Sequence, residues 1–135
     1  MSKRNLKLDG YGISRKRYKE LCGFCEQYPD WKKEITSHAY ISAVQYGDEP
    51  KPSNHDNSDT TAKHALKMLK YKRNVELIEK VAKMADEEFW EYLIKSICYE
   101  VPINYLITGE GMGLSQSAFY NRRRYFFYLL DIEKN

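Results

Sequence analysis

Cys22 and Cys25 stand three residues apart in the stretch CGFC, a spacing used by dithiol redox centres and by half of a zinc site. Zinc needs a second ligand pair at similar spacing, and Cys98, His38, His55 and His64 are scattered instead. A dithiol redox centre would follow a strand, whereas SRKRYKELCGFCEQY has helical periodicity. The cysteines therefore read as small apolar packing residues, and their odd number argues against a disulfide framework. GEGMG, residues 109–113, resembles a phosphate loop only in its glycines. No strand precedes it and no Gly-Lys-Ser/Thr follows, so it reads as a turn. No serine, cysteine or histidine has a recognisable catalytic partner nearby, and Glu87, Glu88 and Glu91 suit the first turn of a helix. The expectation is a chain that is not an enzyme and uses no metal or cofactor.

Different chemistry is concentrated in SQSAFYNRRRYFFYLL, residues 115–130, where three consecutive arginines interrupt a run rich in aromatics. At about 100° per residue, Ala118, Phe119, Tyr125, Phe126, Leu129 and Leu130 gather on one face, which is expected to bury. Gln116, Ser117, Tyr120, Asn121 and Arg124 gather on the other, with Arg123 at its border and no carboxylate before Asp131. Arginine can donate two bonds to guanine, and Gln or Asn can bond adenine in a bidentate way. Serine and tyrosine hydroxyls bond phosphates, and a helix N-terminus adds partial positive charge. This flank is suited to a DNA groove. Two residues break the pattern: Arg122 falls on the apolar face and is expected to snorkel or pair with a carboxylate. Phe127 falls on the polar side, where the N-terminal helices or a second subunit would have to cover it.

The elements that position these residues are helical throughout. Ser14 is placed to cap a first helix, Pro29 to end it, and Asp30 to cap a second beginning at Trp31. YGDEPKPSNHDNSD reads as a connector, giving an N-terminal pair over 1–45, a linker over 46–58 and a helical unit over 59–135 that could equally form one compact domain with the pair. Asp59 opens a long helix whose apolar face includes Ala62, Ala65, Leu69, Leu77, Ile78 and Val81. Asp86 caps another, Pro102 starts the short helix PINYLI, and Ser115 caps the last. The fold class is all-α, with five or six helices and a C-terminal helix-turn-helix-like unit. No apolar run spans a membrane and the first residues hold no secretory signal, so the cytoplasm of a bacterial host is the expected location. Net charge is +3 but uneven: residues 1–20 carry seven basic and two acidic groups, residues 21–60 three and seven. Lys63, Lys67 and Lys70 share one helix side and suit DNA phosphates.

Roughly the last 50 residues, from the helix over 86–100 through VPINYLI to the final helix, resemble the C-terminal helix-turn-helix of phage late-transcription regulators of the ArpU and RinA type, similar to sigma factor region four. The resemblance rests on Gly113, Leu114, Ser115, Ser117, Phe119, Tyr120 and Arg122 to Arg124. The block YGISRKRYKELCGFCEQYPDWKKEI is similar to the N-terminal part of uncharacterised phage and prophage proteins of Gram-positive hosts. The resemblance implies a phage or prophage DNA-binding regulator contacting duplex DNA through Ser115, Gln116, Ser117, Tyr120, Asn121, Arg123 and Arg124. The turn TGEGMG is longer than in most such units. A homodimer would match two half-sites, and RNA polymerase or another host protein would be a further partner. A non-catalytic protein-interaction module and a packaging protein like a terminase small subunit are the other readings.

Overall fold

Ser14 fills its expected role: its Oγ accepts the Arg17 N–H at 3.1 Å and so caps α1 (Arg15–Glu26). The computed structural model describes residues 10–45 and 55–134, with side chains described for 10–39 and 60–134. After α1 come α2 (Tyr28–Gln45), α3 (His55–Ala85), α4 (Trp90–Ile97), α5 (Ile103–Thr108) and α6 (Gln116–Lys134). Among the described residues there are six helices and no strand, an all-α fold. None of these helices is long and apolar enough to cross a membrane.

Three boundaries differ from the sequence expectation, one being the start of α4, which begins at Trp90 after Phe89 rather than directly after Asp86. Pro29 does not end α1 but sits in the first turn of α2, where a missing N–H sacrifices no hydrogen bond, and Asp30 lies in that same turn rather than capping a helix from Trp31. The joint is Gln27 alone, whose carbonyl accepts the Trp31 N–H at 3.0 Å. The helix expected from Asp59 begins at His55, so residues 55–58 of the expected connector are helical; residues 46–54 lie outside the described ones. Once a helix is nucleated, each added residue gains a hydrogen bond, and Asp56 and Asp59 favour a helix N-terminus.

One hydrophobic cluster takes residues from every helix: Leu21 and Cys25 from α1, Trp31 from α2, Ile78 and Val81 from α3. Leu93 and Ile97 come from α4, Leu106 from α5, and Phe119, Phe126 and Leu130 from α6. The N-terminal pair therefore shares its core with the rest of the chain. Asp86 holds the α3–α4 corner, its carboxylate accepting the N–H groups of Glu88 and Phe89, each at 2.9 Å. The same carboxylate takes the Nε–H of Arg122, the pairing expected for an arginine on the apolar side. Lys80 and Glu133, 3.2 Å apart, tie α3 to the far end of α6. Between α4 and α5, Val101 N–H reaches the Lys95 carbonyl at 3.0 Å, and Glu100 adopts a left-handed backbone at φ 55°.

Candidate nucleic-acid interface

α6 buries a different side from the one its own periodicity suggests. Phe119, Phe126, Phe127 and Leu130 are fully buried, whereas Tyr125 is 40% exposed and Leu129 half-buried. The buried face is turned by roughly 70° from the expected one. The cause is α1, which lies along the flank assigned to DNA. Tyr18 meets the Phe127 ring edge-on at 5.0 Å, and Arg17 Nε–H donates to Asp131 at 2.6 Å. Tyr11, preceding α1, packs on Tyr128 with ring centroids 5.1 Å apart.

This packing divides the seven expected DNA contacts. Ser115 is exposed, with its Oγ accepting the Ala118 N–H at 3.1 Å as a cap, and Gln116, Ser117 and Asn121 are exposed. Arg124 is withdrawn: only 7% exposed, it donates to Asn121 Oδ1. Tyr120 and Arg123 are half-buried, Arg123 lying over the Phe127 ring with 5.9 Å between guanidinium carbon and centroid. Both line a cavity of about 310 Å³ that also holds Cys22, Glu26 and Glu100. Burial pushes the Cys22 thiol up; a hydrogen bond with Tyr18 and the Arg123 charge work against this, while Glu26 adds to it. Tyr18 is pushed up to about 12 by burial, against the pull of Arg123. The expected seven-residue contact face is thus corrected: Arg124 lies inside the fold and Arg123 shares a cavity with carboxylates. Phe127 and Asp131 on the supposed polar flank were the sequence signals of this cover.

The turn before α6 is also more structured than its glycines suggest. Met112 N–H donates to the Leu106 carbonyl at 2.9 Å, and Lys95 bonds Glu110 across to α4 at 2.5 Å. Gly111 and Gly113 supply positive φ of 63° and 84°, which a side chain would resist. α5 and α6 are therefore joined by a pinned loop rather than the tight turn of most helix-turn-helix units.

A second surface is more open. Lys63, Lys67 and Lys70, with Lys72 and Arg73, are exposed on α3. No carboxylate interrupts the sequence from Thr60 to Val75. None of the ion pairs among the described residues involves these five cations, although Lys67 lies over the Tyr71 ring at 5.7 Å. Every side chain from 60 to 67 is exposed, and along α3 the core takes Met68, Val75, Ile78 and Val81 instead. Ala62, Ala65 and Leu69, expected on the buried face, stay exposed. Leu66 is 66% exposed and Leu69 45%. His38 of α2 meets His64 here with ring centroids 4.7 Å apart.

The three cysteines are free thiols, and no group of three metal-ligating side chains occurs among the described residues. Comparison of the chain with family models, curated proteins and solved structures finds no match.

Proposed function

We propose that this chain is a non-catalytic duplex-DNA-binding protein, in its finer form a phage or prophage gene regulator, that grips phosphates with the outer half of α3. The observation that carries this reading is the row of exposed cations Lys63, Lys67 and Lys70 on one side of α3, which enter none of the ion pairs among the described residues, with no carboxylate in the sequence from Thr60 to Val75. Such a stripe releases counterions from a polyanion and leaves no like charge to repel it. The start of α6 adds the exposed Gln116 and Ser117, hydrogen-bonding groups able to read base edges, and Asn121, whose Oδ1 already accepts from Arg124 and whose amide N–H groups remain to donate. Arg122 anchors that end near Asp86, about 24 Å along α3 from Lys70 at 1.5 Å per residue. That separation is shorter than one turn of duplex.

Salt dependence tests the proposal. Replacing Lys63, Lys67 and Lys70 together by alanine should weaken binding and flatten the slope of log affinity against log salt by about 2.7. Gln116→Ala with Asn121→Ala should leave that slope intact while reducing preference for sequences selected from a random pool. An unchanged slope in the triple variant refutes the α3 assignment.

A protein partner is the second reading, favoured by Leu66 and Leu69 exposed beside the lysines. That surface suits an acidic amphipathic helix. It predicts a captured protein lost on Leu66→Ser with Leu69→Ser, with DNA affinity unaltered.

A further inference from the structure

We propose that the cavity between α1, the α4–α5 connection and α6 binds a small zwitterion of the α-amino-acid class. The cavity is about 310 Å³, near the lower bound of small-ligand sites. Arg123 lines it from α6, Glu26 from the end of α1, and Glu100 from the connection. No ion pair among the described residues includes any of the three. One guanidinium and two carboxylates thus face a single concave space without closing on each other.

A simple anion would satisfy Arg123 but approach two carboxylates, and a simple cation would satisfy the carboxylates but approach the Arg123 guanidinium. A ligand bearing a carboxylate and an ammonium answers both sets with charge-assisted hydrogen bonds. Ser96, 6% exposed, adds a hydroxyl, while Val101 and Ile103 supply apolar wall for a short aliphatic body.

The backbone supports the assignment independently. Glu100 is the one non-glycine residue at positive φ among those described, with φ 55°. Glycine would occupy that conformation without strain, so the fold does not require a carboxylate there. The cavity gives it a purpose. This inference stands apart from the DNA reading, because neither Arg123 nor Glu100 belongs to the α3 stripe.

Nitrogen-15 NMR titration of the full chain provides the test, with L-valine as probe. Isobutylamine and isovalerate, which each lack one of its charges, serve as comparisons. Millimolar L-valine should shift the amides of Cys22, Ser96 and Val101, and each comparison compound should bind roughly tenfold more weakly, the loss of one charge-assisted hydrogen bond. Glu100→Gly, which relieves backbone strain and stays folded, should weaken L-valine binding by a similar factor, as should Arg123→Gln. The proposal is overturned if neither L-valine, L-alanine nor L-leucine shifts these amides. It is equally overturned if isobutylamine or isovalerate binds as tightly as L-valine, or if Glu100→Gly binds L-valine like the wild type.

Discussion

Replacing Glu100 by glycine should make the protein more stable, although most substitutions do the reverse. At φ 55° a Cβ crowds the following carbonyl, a cost of about 1–2 kcal/mol for a non-glycine residue. Glycine removes that cost but gives the unfolded chain more freedom, returning about 0.5–1 kcal/mol. Glu100 is exposed and enters none of the ion pairs among the described residues, so little else is lost with its side chain. The net gain is about 0.5–1 kcal/mol. With an unfolding entropy of about 2.1 cal/mol/K per residue over 135 residues, the midpoint should rise by roughly 2–4 °C. Thermal denaturation followed by circular dichroism at pH 7 reads this directly. Gly109→Ala is the control of opposite sign, because its Cβ would lie 2.8 Å from the Tyr105 carbonyl oxygen, a backbone atom with little room to retreat. A melting midpoint for Glu100→Gly equal to or below the wild type would refute the strain argument.

Three further outcomes follow from the packing. Phe127→Ala should cost about 3–5 kcal/mol in urea denaturation, whereas Tyr125→Ala, whose partly exposed ring stacks on Tyr128, should cost about 0.5–1.5 kcal/mol; the reverse order would restore the face read from periodicity. Asp86→Ala should cost about 1–2 kcal/mol, since it releases the α3–α4 corner and unpairs Arg122. Burial alone would raise the Asp86 carboxyl, but bonds from Phe89 N–H, Arg122 and Glu88 N–H outweigh it and hold the group below its ordinary value. A folded value below the unfolded one means the stabilisation is complete above the unfolded value and is lost as pH falls through the folded one. Denaturation from pH 6 down to 2 should show this loss in the wild type and a shallower one in Asp86→Asn.

The helical class was legible because helical periodicity recurs along the chain, and the caps at Ser14 and Ser115 follow from side chains that reach their own backbone, whereas Asp86 braces the turn before α4 rather than capping it. The start of α3 was not, because Asn, Asp and Ser favour turns and helix beginnings alike, and only the continuing ladder decides between them. The candidate site was misread for a related reason. Periodicity within α6 separates polar from apolar positions but carries no information on which other helix returns to cover them. Tyr120, Arg123 and Arg124 share a polar flank by periodicity, yet α1 lies along it, and Phe127 is the one residue of that flank whose type requires a cover. The α3 lysines were legible as a set, since their exposure depends on the lack of a neighbour rather than on the choice of one.

The buried thiols also equip the molecule with an internal clock. A hydrogen bond to Cys98, together with burial, holds the Cys25 sulfhydryl well above its ordinary value, and both side chains sit in the core. Alkylating reagents attack the thiolate, so these two sulfurs react only when the α1–α4 seam parts, while the half-buried Cys22 is modified sooner. Counting modified sulfurs against time by mass spectrometry would therefore measure how often that seam opens under native conditions, with no label introduced and no denaturant present.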